Sequence, residues 1–447
     1  MSKKHFLKGT LILTCTGLIS RMIGFFYRIF LSHSIGAQGL GLYQLIIPVQ
    51  TLVLAVTTAG IQTVISRLVA SHMALGRTKE ARDCFILGTA SGLFLSFIAS
   101  WTLYTNADFF AVQILKEPRT YSLIRLLCFS LPLNTLHTCI NSFYFAQKKT
   151  EIPSGIQLFE QLVRVGTSYL LYVIFLSEGR EITPVIAIGG TLVSEAAVAL
   201  VSLLLIGTDF HHSHYIFRKI SQPFQKLRNI FQLALPLTLN RLLLTLLNSI
   251  EVVLIPQQLR LYGLSAEEAL SIYGVFTGMA LPMILFPSTV TNSVSVMLMP
   301  SIAELQALGY KKRIRYVTFR TCLYCLLLGG GCSLVFLFFG KTMGILLFKS
   351  LTAGIYIRTM AFICPFLYMN TTLTSILHGL GKSGICLINN AIGISIRIAF
   401  VLNAIPLLGI RGYLYGILLS ESVLSILHVT ALLRLEQIPK QNLPIDN

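Results

Sequence analysis

Gly17-Leu18-Ile19-Ser20-Arg21-Met22-Ile23-Gly24-Phe25-Phe26-Tyr27-Arg28-Ile29-Phe30 carries two arginines inside a stretch otherwise suited to lipid. Gly17, Arg21, Gly24 and Arg28 recur at i, i+4, i+7 and i+11, which is one stripe of a helix. Phe25, Phe26 and Phe30 cover other directions and are expected to meet lipid. An arginine at the centre of a membrane helix costs at least about 2.5–3.5 kcal/mol on insertion scales, so it usually faces a bundle interior or a water-filled cavity. The glycines on the stripe either let a neighbouring helix approach or leave space beside the guanidinium groups. This stretch predicts a membrane-spanning helix with a cationic inner face.

Composition extends that reading to the whole chain. The 447 residues are 54% hydrophobic and 12% charged, with a mean hydropathy of +0.74. A soluble protein of ordinary composition carries about 25% charged residues. A disordered chain, a coiled coil and most soluble folds are thereby excluded. Runs long enough to cross a bilayer, at about 20 apolar residues each, lie near 10–32, 40–65, 84–105, 121–146, 152–176 and 184–206. A polar basic segment follows, then runs near 229–255, 269–299, 317–339, 354–379, 384–408 and 412–433. The expected fold is an all-α polytopic membrane protein of about twelve helices. Arg21 interrupts the first run and no small-residue cleavage site closes a short apolar region, so the first helix reads as uncleaved.

Lys and Arg outnumber Asp and Glu by 35 to 17, a net charge of +18. Loops on the side of the N-terminus hold 21 of the 35 basic residues, among them Arg67, Arg77, Lys148, Arg218, Lys311 and Arg434. Opposite loops hold seven: Lys116, Arg119, Arg180, Arg260, Lys341, Lys349 and Arg411. Positive charge concentrates in cytoplasmic loops, so both termini are expected in the cytoplasm of a bacterial cell. The excess needs no nucleic acid to explain it.

The chain also repeats. Arg125 and Pro132 recur as Arg358 and Pro365, Arg164 as Arg397, and Leu75-Gly76 as Leu308-Gly309, all at an offset of 233. Gly190-x-x-x-Ser194-Glu195 recurs as Gly416-x-x-x-Ser420-Glu421, at 226. Arg21 and Arg241 each fall about eleven residues into the first helix of their half. Two six-helix lobes follow, 1–206 and 229–433, with a cytoplasmic connector at 207–228 and a cytoplasmic tail at 434–447. Six is even, so the halves run the same way and a pseudo-two-fold axis along the membrane normal relates them.

Seven basic residues remain inside the spans, all arginines: Arg21, Arg28, Arg125, Arg164, Arg241, Arg358 and Arg397. Arg28, Arg125 and Arg358 sit near outer ends, where long side chains can reach the interface. The interior acids are Glu160, Glu195, Glu251 and Glu421. Glu160 lies four residues before Arg164 and is expected to pair with it. Position 393, four before Arg397, is Gly, so Arg397 is expected to keep a less satisfied charge. The net cationic interior suits an anion, since planar guanidinium forks bind phosphate and carboxylate bidentately and keep their charge. Arg21, Arg28, Arg241, Arg397 and Arg164 are the candidate substrate ligands. The four glutamates are candidates for a coupling Na+ or H+, or for contacts between helices.

No catalytic constellation accompanies them. The nine cysteines lie mostly in apolar stretches, and Cys322-x-x-Cys325 has no second pair. His211, His212 and His214 sit in the basic connector without acidic or thiol partners. No Walker or dinucleotide glycine pattern occurs. No cofactor, metal or ATP hydrolysis is expected.

Phe6-Leu7-Lys8-Gly9-Thr10, the Ser20–Arg28 segment, Ile35-Gly36-Ala37-Gln38-Gly39-Leu40-Gly41-Leu42-Tyr43 and Ile65-Ser66-Arg67-Leu68-Val69-Ala70 resemble the stage V sporulation protein B group. That group belongs to the multidrug/oligosaccharidyl-lipid/polysaccharide superfamily, with lipid II flippases and polysaccharide-unit exporters. The resemblance implies a V-shaped two-lobe fold, alternating access and an undecaprenyl-diphosphate-linked glycan as substrate. It also implies a cavity lined by first-helix arginines, which by motif are Arg21 and Arg28. Such relatives often have fourteen helices, the last two shaping a groove for the lipid tail, whereas twelve are read here.

The expected function is therefore a glycan-lipid flippase driven by an ion gradient or the membrane potential. Its surroundings would be membrane lipids and enzymes of cell-wall or polysaccharide synthesis. Three rivals stand beside it. A cation-coupled drug exporter of the same superfamily would depend on acids, and the first helix has none. A non-transporting scaffold for cell-wall synthesis has no need of central arginines. A membrane glycosyltransferase would want an acidic cluster outside the membrane.

Overall fold

A computed structural model describes residues 3–212, 220 and 222–437. Residues 213–219 and 221 of the expected connector and 438–447 of the tail, with His214, Arg218, Lys219 and Lys440, lie outside the described residues. Twelve helical segments are long and apolar enough to cross a membrane. The first half comprises α1 (Ile12–Ser34), α2 (Gly36–Ala74), α3 (Thr78–Thr105), α4 (Pro118–Ala146), α5 (Glu151–Ser177) and α6 (Val185–His211). The second begins with α7 (Pro223–Leu261) and α8 (Ala266–Leu285). The chain breaks at Phe286-Pro287, and α9 (Ser288–Ala307) completes the crossing that α8 begins. Then follow α10 (Lys311–Phe348), α11 (Leu351–Gly379), α12 (Ser383–Asn403) and α13 (Ile410–Arg434).

Local chemistry sets the boundaries. At the head of α8, the Glu268 amide donates to Ser265 Oγ at 3.2 Å and the Ser265 amide donates to Glu268 Oε2 at 2.9 Å. That reciprocal box satisfies two amides the helix itself leaves unpaired. Pro118 and Pro223 open α4 and α7, where a missing N–H costs nothing. Gly76 and Gly309 follow α2 and α9 at φ +73° and +74°, a backbone conformation that favours glycine. These two glycines are repeat partners.

The repeat holds at the level of whole helices. α3 and α4 begin at residues 78 and 118, and α10 and α11 at 311 and 351, each 233 further on. Several boundaries differ from the sequence reading, α2 and α7 for instance running on to Ala74 and Leu261, and two differences have a local cause. The run expected at 269–299 is split by the Phe286-Pro287 break, where proline supplies no amide. The semi-apolar stretch after 339 stays helical to Phe348, and the chain then turns at Lys349, at φ +51°.

Packing differs at the two ends of the molecule. At the end away from the termini both lobes share one apolar core, including Leu31, Leu40 and Leu45 with Leu270, Tyr273 and Phe276. There α2 and α8 cross so closely that a Cβ on Gly274 would sit 2.0 Å from the Ala37 carbonyl oxygen. At the other end two separate clusters form. One groups Ile65, Phe85 and Phe143 around the first lobe, and the other groups Ile302, Leu373 and Ile376 in the second. α7 still leans on the first lobe near that end, through Lys226 Nζ on Asp83 Oδ2 at 2.6 Å.

Candidate functional site

A cavity of about 490 Å³ opens between the lobes, walled by α1, α2, α5 and the α8–α9 break. Arg21 and Arg28 reach it from α1, Arg164 from α5, Tyr43 from α2, and Thr289 and Asn292 from α9. Gly24 also lines it, and a Cβ there would meet nothing within 4 Å. Of the two uses open to that glycine, the structure selects space beside the guanidinium groups. Phe25 departs from its expected place in lipid. It lines the cavity with its ring 4.9 Å from that of Phe286, because the break at Pro287 exposes an aromatic to pack against.

The arginines differ in their partners. Arg21 and Arg28 have no hydrogen bond or ion pair among the described residues. Arg164 is bonded to Glu160, the i,i+4 pair the spacing predicts. On the same wall, Tyr27 Oη and Ser168 Oγ stand 2.8 Å apart and hold α1 to α5. No acidic side chain lines the cavity.

Arg241 lines a second cavity, of about 460 Å³, between α2, α4 and α7. Arg397 lines neither cavity. The expectation of an unsatisfied Arg397 is corrected here: its Nε and Nη2 donate to both oxygens of Glu251, at 2.7 and 3.0 Å. The partner comes from α7, far away in sequence, so the local search four residues upstream could not find it. Tyr413 Oη adds a donor to Glu251 at 2.7 Å, and Glu421 Oε1 lies 3.8 Å from Arg397 Nη1. Near their helix ends, Arg125 donates to the Tyr104 and Tyr121 hydroxyls, and Arg358 is exposed.

All four interior acids are engaged by protein groups. Glu195 faces His137 Nε2 at 2.8 Å and accepts from Asn134 Nδ2 at 3.0 Å. Glu421 accepts from Asn370 Nδ2 at 2.7 Å, and Ser425 Oγ donates to Asn370 Oδ1 at 2.7 Å. His137 and Asn370 are themselves 233 residues apart, a signal the sequence held and the motif search missed. Each lobe thus ties its last helix to its fourth through one buried glutamate.

Sequence reading also missed a junction across the sealed end. Glu117, whose side chain is 4% exposed, accepts from Arg119 Nε at 2.7 Å and from Arg260 Nη2 at 3.1 Å. Arg260 Nη1 donates to the Lys116 carbonyl at 3.0 Å, and Arg119 reaches Glu267 at 3.4 Å. Arg119 and Arg260 counted only as loop charges in the sequence.

Fold and cavity define the class: an all-helical, multi-pass membrane protein with the two-lobe architecture of MATE transporters. An inward-facing MATE family transporter of the MOP superfamily superposes with a TM-score of 0.70 at 15% identity, over 96% of this chain and 98% of that one. The profile of the polysaccharide biosynthesis protein family matches residues 6–306, and the chain belongs to that family. Stage V sporulation protein B of Bacillus subtilis is 28% identical over 439 residues, 96% of this chain and 83% of the relative. The lipid II flippase MurJ of Bacillus subtilis is 28% identical over 173 residues, 37% of this chain and 32% of that one.

Proposed function

We propose that this protein translocates an undecaprenyl-diphosphate-linked glycan, a peptidoglycan precursor or polysaccharide unit, across the bacterial cell membrane by alternating access. The observation that carries the reading is the pair Arg21 and Arg28, which among the described residues have no hydrogen-bond or ion-pair partner and share a cavity that no described acid lines. A diphosphate joining a lipid to a sugar carries two negative charges at neutral pH. Two unpaired guanidinium groups match them and offer the bidentate geometry phosphate oxygens favour. Arg164, already shared with Glu160, adds donors with little further charge. A cationic drug would find no acid on this wall. The name of MurJ as a lipid II flippase points the same way.

The packing supplies the two-state element that translocation needs. The lobes share one core at one end, while at the other the second lobe's main cluster stands apart and only α7, through Ile230 and Ala234, packs into the first lobe's cluster, so rocking about the cavity would exchange which end is joined. The joined end is the extracytoplasmic one in this reading, with both termini in the cytoplasm. An ion gradient or the membrane potential drives the cycle.

Labelled undecaprenyl-diphosphate glycan, followed across the bilayer of proteoliposomes and normalised to reconstituted protein, tests the reading. Arg21→Ala and Arg28→Ala should each lower transport per molecule at least about tenfold, for the loss of a charge-assisted hydrogen bond or two. Arg21→Lys should be intermediate, retaining charge without the planar fork. Full activity per molecule in both alanine variants would remove the main reason for a lipid-diphosphate substrate.

A further inference from the structure

The second cavity differs from the first in chemistry, and the repeat explains how. Under the 233-residue offset, Ser288 and Asn292 of the first cavity correspond to Ala55 and Ala59, which line the second. Each cavity is also lined by the first helix of one lobe, α1 for the first and α7 for the second. The two cavities thus share two related walls under the repeat, while the α4 wall of the second, with Asn134 and Thr138, has no counterpart in the first. Where α1 presents Arg21 and Arg28 seven residues apart, α7 presents Arg241 and Asn248 at the same spacing. The repeat partner of Arg164 is Arg397, withdrawn onto Glu251 and donating to Asn248 Oδ1 at 3.4 Å. One arginine remains in place of three.

Apart from the apolar Leu54, Ala55 and Ala59, the rest of the lining is neutral and polar, with Thr58, Gln62, Asn134, Thr138 and Asn248 among it. Gln62 and Arg241 make no hydrogen bond among the described residues. Amides and hydroxyls both donate and accept, as sugar hydroxyls and N-acyl groups do, whereas a phosphate at neutral pH mainly accepts. The α2 wall beside Thr58 is a π-helical stretch, Ala55–Ala59, and such bulges are frequent at functional sites. Ile47 lines the first cavity and Thr51 the second, four residues on along the same helix. That is a step of about 6 Å on one face. In a glycosyl diphosphate the sugar ring follows the phosphate directly, so adjacent cavities suit adjacent groups.

We propose that the second cavity is the sugar subsite, binding the uncharged hydroxyl- and amide-bearing ring next to a diphosphate held in the first. The proposal rests on the diphosphate reading above. It adds that the protein selects lipids by the sugar they carry and disfavours the bare polyprenyl diphosphate.

Binding of two labelled probes to the purified full chain in detergent tests it: polyprenyl-diphospho-N-acetylglucosamine and polyprenyl diphosphate without sugar. The wild-type protein should bind the sugar-bearing lipid about tenfold or more tightly than the bare one, the worth of one or two hydrogen bonds. Gln62→Leu combined with Thr138→Val should erase that preference and leave affinity for the bare lipid within about twofold, which also shows that the variant is folded. Should the pair lose both ligands, Gln62→Ala alone supplies the same comparison. Arg21→Ala should weaken both probes alike. Equal affinity of the wild type for the two lipids, or an unchanged preference in the Gln62 variants, overturns the sugar subsite and leaves the diphosphate reading standing. Unaltered binding of both probes to Arg21→Ala overturns the diphosphate reading itself.

Discussion

Arg397 and Arg21 are both arginines near the middle of a membrane helix, yet their neighbours give them opposite work. Arg397 is clamped by the two oxygens of Glu251, whose side chain is 3% exposed, while Arg21 faces the cavity without a partner. Removing one member of a buried pair leaves the other charged and unpaired, at a cost of about 3–5 kcal/mol. Glu251→Gln should therefore lower the melting temperature of the purified protein by several degrees and reduce its abundance in membranes. Replacing both members, as Glu251→Leu with Arg397→Met, should restore much of the loss, since apolar side chains of similar volume substitute well for a buried pair. Arg21→Ala should leave the melting temperature within a degree or so of wild type. A Glu251→Gln protein as stable as wild type would show that the pair contributes nothing to the fold.

Among the elements, the start of α4 acts as a latch. Glu117 precedes that helix and joins the first lobe to α7 of the second through Arg260, while Arg119 crosses to Glu267 at the head of α8. Arg119 and Glu267 are well exposed, so their contact contributes little. Glu117 is buried, and its bond to Arg260 exists only while this end is joined. Glu117→Gln keeps the shape and removes the charge, which should favour the state in which the lobes part here. Spin labels on the chain flanking Glu117 and on the turn before α8 should report a larger fraction of long distances in the variant. An unchanged distance distribution would assign the closure to the apolar core and the Gly274–Ala37 crossing alone.

For the whole molecule, twelve crossings put both termini at one end, and loop charge says which compartment that end faces. Basic residues favour the loops on the side of the N-terminus by 21 to seven, a bias that predicts this side is the cytoplasmic one. In a cysteine-free background, His214→Cys should resist a membrane-impermeant thiol reagent in intact cells and react once the membrane is opened. Labelling from outside would invert the arrangement and place the joined end of the lobes in the cytoplasm.

Hydropathy determined by itself that this chain is an all-helical membrane protein of about twelve crossings, because it is summed along the chain and needs no knowledge of neighbours, while the reading of two like-oriented halves came from the internal repeat. The stripe of Gly17, Arg21, Gly24 and Arg28 was legible for the same reason: helical periodicity places residues on a face before any partner is known. So was the Glu160–Arg164 pair, four residues apart on one helix. What lay beyond one helix was not. The capture of Arg397 by Glu251 joins α12 to α7, and Glu117 meets Arg260 across 143 residues. Neither leaves a local trace, since an ion pair depends on where two helices cross and not on spacing along either. The division of the repeated polar interior into a cavity with three arginines and one with a single arginine was likewise decided only by packing. The repeat gives both halves an arginine on the fifth helix, each paired with an acid of its own lobe, and only the fold decides that Arg164 still reaches the space between the lobes while Arg397 lines neither cavity.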